Sequence, residues 1–305
     1  MDLNTTGYNT GDGPYGPVVN GTQIVFYEYL PSKPAGFAFM ALFSLATLGH
    51  LIYFFWLRAW FFIPFLLGGI AELFGYYARA MAHDEPIEAK WFILQNLLIL
   101  AGAPFLAASV YMSLGRIATV LDARHHSLLS LRWMTRLYVL IDFGCIFTQL
   151  IGSILPASGD PSAIATSRTI LLSGIITQFV ALSVFVLQIV FLYQRIRRDL
   201  TTVLLHDPSI RWQFHFYSIS LVAVLLILRA VVRAVEYLQG EGGYVISHES
   251  FIYVFDGTPM FLVMLIFLII HPARLVKDVR ELKKINDVIR LGLVDEERRS
   301  GNASR

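Results

Sequence analysis

The stretch from Ala59 to Ala80, AWFFIPFLLGGIAELFGYYARA, is apolar almost throughout, yet it carries Glu72 near its middle and Arg79 near one end. As an α-helix it rises about 33 Å, enough to cross the ~30 Å hydrocarbon layer of a bilayer. Lipid offers no hydrogen-bond partner, so a crossing segment satisfies its own backbone by forming a helix. A charge at the centre of such a helix costs roughly 2.5–3.5 kcal/mol even on the lenient insertion scale. Glu72 and Arg79 lie seven residues apart, so their directions differ by only about 20°. Gly68 and Gly75 lie close to the same direction. The polar stripe therefore faces other helices, which glycine allows to approach, and the Leu and Phe residues elsewhere face lipid. A bundle of membrane helices with charge inside it is the fold this stretch demands.

The remainder of the chain follows the same plan. Its 305 residues are 56% hydrophobic and 15% charged, where a soluble domain carries about 25% charged residues. The mean hydropathy is +0.60. The apolar residues come in seven blocks, 36–57, 59–82, 91–114, 134–156, 169–193, 214–238 and 250–270. None alternates with a period of two, which excludes a membrane β-barrel. The expected fold is all-α, a polytopic membrane protein of seven transmembrane helices. It divides into a disordered extracellular segment (1–35), a seven-helix domain (36–272) and a basic amphipathic cytoplasmic tail (273–305).

Orientation comes from the basic residues. With the N-terminus outside, 18 of the 24 Lys and Arg fall in cytoplasmic loops or the tail, and only Lys33, Lys90 and Arg168 in outer segments. The positive-inside rule then places the C-terminus in the cytoplasm. The net charge of +2 is thus no sign of a nucleic-acid partner. Asn4 and Asn20 head glycosylation sequons in the outer segment. The single cysteine, Cys145, excludes an intrachain disulfide. No cleavable signal is visible in the polar N-terminal segment, so the first helix is expected to serve as its own insertion signal. In the tail, Leu275, Val279, Leu282, Ile285 and Ile289 recur every three or four residues, a pattern suited to the inner leaflet or to a solvated helix.

Further polar groups lie in the apolar blocks. Block six places Arg229, Arg233 and Glu236 on one face, and block seven carries Asp256 just before Gly257 and Pro259. At about 1.5 Å per residue, Arg229, Asp256 and Glu72 fall at similar depths, with Gln95 and Asn96 entering near the outer third. Glu72, Arg79, Arg229, Arg233, Glu236 and Asp256 therefore form an expected polar cluster in the outer half, three acids to three bases. Its functional reading is a transport cavity. The competing reading is an ion-pair lattice that fixes helix register. Asp142 lies in the inner half with no base at matching depth, near Gln149 and Gln178.

Several classes are excluded. No Lys occurs between Lys90 and Lys277, so no helix can hold a retinal Schiff base. There is no phosphate-binding G-x-x-x-x-G-K loop, and His50 stands alone inside the helices, which argues against a zinc hydrolase. No cofactor is expected, and no enzymatic activity.

The segments YLPSKPAGFAFMALFSLATLGHLIYFF and WFFIPFLLGGIAELFGYYAR resemble the start of the fungal RTA-like family of seven-helix membrane proteins. QNLLILAGAPFLAASVYMSLGRI, DFGCIFTQLIGS, RAVVRAVEYLQG and YVFDGTPM follow in the same order, so the resemblance runs from about Tyr29 to Lys277. It implies a lipid-translocating exporter, associated with aminocholesterol resistance and with release of sphingoid long-chain bases. Haem or porphyrin transport is also attributed to a member. The implied partners are a lipid or amphiphilic substrate and the membrane lipids, and the implied location is the plasma membrane. Glu72, Arg79, Asp142, Arg229, Arg233, Glu236 and Asp256 all fall in matching segments. A receptor-like sensor of amphiphiles, acting indirectly, is the alternative.

Overall fold

The computed structural model describes residues 14–19, 22–23, 25–123, 125, 130–155, 161–206, 210–239, 243–285 and 288. Helix α1 (Lys33–Trp56) begins where the Ser32 side chain accepts from the Ala35 amide at 3.5 Å, with a proline in the first turn. The missing amide of that proline is harmless there, because first-turn amides have no partner inside the helix. The helix ends where Arg58 turns left-handed at φ 49°, and the amides of Arg58 and Ala59 return to the carbonyls of Phe55 and Phe54. One 3₁₀ turn (Trp60–Phe62) leads into α2 (Ile63–Met81). Helices α3 (Ala89–Val120), α4 (Leu131–Ile154), α5 (Pro161–Arg198), the short α6 (Thr202–His206) and α7 (Trp212–Gln239) follow. A π-helical turn (Ile252–Gly257) opens α8 (Thr258–Ile269), and residues 272–285 form a last helix.

Seven helices among the described residues are long and apolar enough to cross a membrane, in the places the hydropathy blocks predict. The protein is an integral, multi-pass, all-α membrane protein. Two helices outrun their blocks. α3 has 32 residues and α5 has 38, about 48 and 57 Å at 1.5 Å per residue, so both project beyond the hydrocarbon. Polar and basic ends such as Arg195, Arg197 and Arg198 continue the helices in water, where hydropathy no longer marks them.

Helices adjacent in sequence pack side by side, α8 closes back on α1, and α3 reaches across to α7. α3 is accordingly the most buried of the seven. Its contact with α2 is close because Gly68 and Gly75 face it. A Cβ on Gly75 would stand 2.6 Å from Ile99, and one on Gly68 3.0 Å from the Gly102 carbonyl. The opposite face of α2 exposes Leu67, Ile70 and Phe74. The separation of a polar inner stripe from an apolar outer one, expected from the opening segment, is the arrangement found.

The N-terminal region differs from the expectation for 1–35. Residues 1–13 lie outside the described residues, as do Asn4 and Asn20. Within the described part, Val18–Val19 pairs antiparallel with Thr22–Gln23, and Tyr15 exchanges backbone hydrogen bonds with Tyr27. Tyr15, Phe26, Tyr27 and Ala82 form a small core, joined by Trp91 and Phe92. Composition suggested disorder because the apolar residues here are few, but the aromatic ones find a platform on the α2–α3 end. The described tail differs as well: Ala273, Leu275, Val276 and Val279 are buried in the main core, so this helix packs against the bundle.

Candidate functional site

Glu72, Arg79, Arg229, Arg233 and Asp256 are buried and Glu236 is half-buried, and these six divide into three groups. Asp256 sits in the π turn that opens α8. One extra residue in that turn and Pro259 just after it bend the chain locally, and Thr258 Oγ1 bonds back to the Tyr253 carbonyl at 2.8 Å. Asp256 is thereby presented to α7, where Arg229 and Arg233 stand one helical turn apart. It forms ion pairs with both. Arg229 also donates to the Ile99 carbonyl of α3 at 2.8 Å. Arg233 holds Glu236 at 3.0 Å, three residues on. Two bases are thus matched by two acids, and one carboxylate ties α7 to α8.

Arg79 does not join that group. Its guanidinium donates to Tyr253 Oη at 3.0 Å, Tyr29 Oη at 2.9 Å and Glu249 Oε1 at 3.0 Å. Glu249 Oε1 also accepts from the Ser32 amide at 2.6 Å. Arg79 is therefore the centre of a knot joining α2, the N-terminal segment and the entry to α8. The single six-residue cluster expected from depth is corrected here. Equal height on neighbouring helices does not set azimuth, and Arg79 makes its direct contacts with Tyr29, Glu249 and Tyr253 instead. Glu249 is the partner that sequence reasoning missed. It lies outside every apolar block, and its one signal was an acid just ahead of a span at the end where Arg79 emerges.

Glu72 forms the third group alone. It is fully buried, and neither carboxyl oxygen has a hydrogen-bond partner. Its side chain lies against α3 at Gly102, where a Cβ would come within 2.4 Å of Oε1. Arg229, Arg233 and Asp256 act on it electrostatically, but their charges are already balanced with Glu236. A carboxyl in this position is the expensive feature of the bundle: burying an unpaired polar group costs about 1–3 kcal/mol.

The remaining expected residues lie apart. Gln95 is buried and accepts from Tyr27 Oη at 3.3 Å, so it anchors the N-terminal segment. Asn96 is half-buried beside it. Asp142 is buried on α4, its carboxyl facing the Tyr111 hydroxyl of α3 without a hydrogen bond of normal geometry. Gln149 and Gln178 are buried as well. His50 makes a 2.9 Å contact with the Met264 carbonyl, which fixes α1 against α8. A cleft of about 600 Å³ opens at the other end of the molecule, between the α1–α2 turn and the last helix.

No solved structure matches the chain. Among known proteins it is 34% identical over 206 residues to protoporphyrin uptake protein 1 of Saccharomyces cerevisiae, covering 68% of this chain and 67% of that one. It is 29% identical over 211 residues to protein RTA1 of the same yeast, covering 69% and 65%. It is also 25% identical over 258 residues to that yeast's sphingoid long-chain base transporter RSB1, covering 73% and 67%. The chain thus spans about two thirds of the length of the first two relatives. A family model described as "RTA1 like protein" matches residues 65–278, which run from α2 through α8 into the last helix and hold all three charged groups. The chain belongs to the RTA1-like family.

Proposed function

We propose that this protein is a transporter of amphiphilic lipids, moving a substrate with a basic headgroup of the sphingoid long-chain-base class between the leaflets of the plasma membrane. One observation carries the reading: Glu72 is a fully buried carboxyl with both oxygens unbonded, while every neighbouring base is matched. A group left this way costs stability, and intramembrane acids of this kind mark ion and substrate pathways. An ammonium headgroup is its chemical complement, and the acyl chain stays in lipid between helices as the head passes. The ion pairs of Asp256 and of Arg79 act in this scheme as latches that hold α7 and α8, and the N-terminal segment, across the route. The name of the 25%-identical relative, a sphingoid long-chain base transporter, supports this substrate class. With no phosphate-binding loop in the chain, net export draws on an ion gradient or a partner, and Glu72 is the protonatable group placed to couple to protons.

The name of the 34%-identical relative favours a porphyrin as the second reading. Both are tested together, with purified protein in phosphatidylcholine liposomes, fluorescent long-chain base and protoporphyrin as substrates. The proposal expects faster transfer of the base, slowed at least about tenfold by Glu72→Gln, since a neutral amide loses about 1.4 kcal/mol or more of charge-assisted binding. Transfer of porphyrin alone would replace it with the second reading. Saturable binding without transfer of either would point to a sensor.

A further inference from the structure

The cleft at the basic end belongs to none of the three charged groups. It lies between the turn joining α1 to α2, the last part of α3, and the helix over 272–285. Five cations line it, Arg58, Arg116, Lys277, Arg280 and Lys284, against one carboxylate, Glu281. Glu281 stands 3.9 Å from Lys277. Arg58, Arg116, Arg280 and Lys284 have no carboxylate within 4.0 Å among the described residues. Arg116 is held over the Phe61 ring at 4.4 Å, so its position is set by the fold. Positive groups gathered in a concave site raise the local potential there and draw an anion to it.

Arg58 sharpens the case. It occupies the left-handed position that ends α1, at φ 49°, where glycine is the favoured residue. An arginine there strains the backbone, and it lines the cleft. Such an outlier is a pointer to function rather than to stability.

Two features identify the anion as a lipid headgroup. Trp56 and Trp60 flank the opening and are 66% and 61% exposed, the amphipathic rings that settle at a membrane interface. The cleft also stands at the mouth of α1 and α2, whose outer faces carry exposed Leu, Ile and Phe into the bilayer. A ligand with a phosphate head and acyl chains satisfies both surfaces at once. We propose that this cleft binds the headgroup of a multiply phosphorylated phospholipid from the leaflet at the basic end of the bundle. The number of cations unmatched among the described residues and a volume of about 600 Å³ suit an inositol ring bearing phosphomonoesters better than a singly charged head.

The test uses the full chain in nanodiscs of phosphatidylcholine alone, or with added phosphatidylserine or phosphatidylinositol bisphosphate. Lipid retention is read by native mass spectrometry, and thermal melting is followed in parallel. The expected result is selective retention of the bisphosphate lipid with a raised melting temperature. Each cation removed, by Arg58→Gly, Arg280→Gln or Lys284→Gln, weakens retention about fivefold. Arg58→Gly is the decisive variant, because glycine relaxes the backbone at this φ: melting without added lipid stays at or above the parent while retention falls. Unchanged retention in the triple variant would overturn the proposal. So would equal retention of phosphatidylserine, which describes a basic surface without selectivity. Equal affinity for free inositol trisphosphate or inorganic phosphate would overturn it too, by assigning the site to a soluble anion.

Discussion

Glu72 and Asp256 are both buried carboxylates in the same bundle, and their neighbours give them opposite characters. Asp256 meets two guanidinium groups. Removing one partner of a buried pair strands the other, so Asp256→Asn should cost about 3–5 kcal/mol, seen as a large fall in melting temperature in detergent. Glu72 meets the backbone of Gly102 instead. Gly102→Ala should cost about 1–3 kcal/mol by overpacking, and adding Glu72→Ala should recover most of it. A double-mutant cycle on melting temperature reads this coupling; strict additivity of the two changes would show that Gly102 and Glu72 do not share the space. Arg79 is a third case, since its charge is shared among two tyrosines and a half-buried acid. Glu249→Ala should cost about 1–3 kcal/mol, the range for leaving a buried donor short of its partner.

At the scale of the element, the π turn before Pro259 and the left-handed stop at Arg58 show local chain geometry aiming single side chains. The knot around Arg79 has a further consequence for the N-terminal segment. The Ser32 amide donates to Glu249 Oε1 at 2.6 Å, so Glu249→Ala frees that amide. Hydrogen exchange over residues 25–32 should speed up in this variant, while the Tyr27–Gln95 contact keeps exchange over α3 near the parental rate. If exchange in the segment is unchanged, the aromatic core of Phe26, Tyr27 and Phe92 holds it without help from Arg79. Helix existence and the inner face of α2 were legible in the sequence, because both follow from periodicity. The ends of α3 and α5 were not, since Arg116, Arg195, Arg197 and Arg198 interrupt the apolar run while Ile117, Ala118 and Ile196 continue the buried face.

For the whole molecule, orientation rests on the 18-to-3 bias of basic residues. Thiol labelling in sealed vesicles checks it, because the single native Cys145 is buried and can be replaced by alanine. Cysteines at Asp84 and Asp278, both exposed, should label from opposite sides, Asp84 from the exterior. Labelling of both from one side would contradict an odd number of spans.

The amino-acid sequence by itself determined that this chain has seven helices long and apolar enough to cross a membrane, and that the acid and base in the middle of α2 face protein. Those properties are set by transfer energies and helical period, which act on each segment separately. Which acid meets which base was decided only in the tertiary structure. Azimuth and tilt of packed helices settle it, and they paired Arg79 with Glu249, gave both α7 arginines to Asp256, and left Glu72 beside a glycine. Depth along a helix is a one-dimensional quantity read from the chain; contact between helices is not.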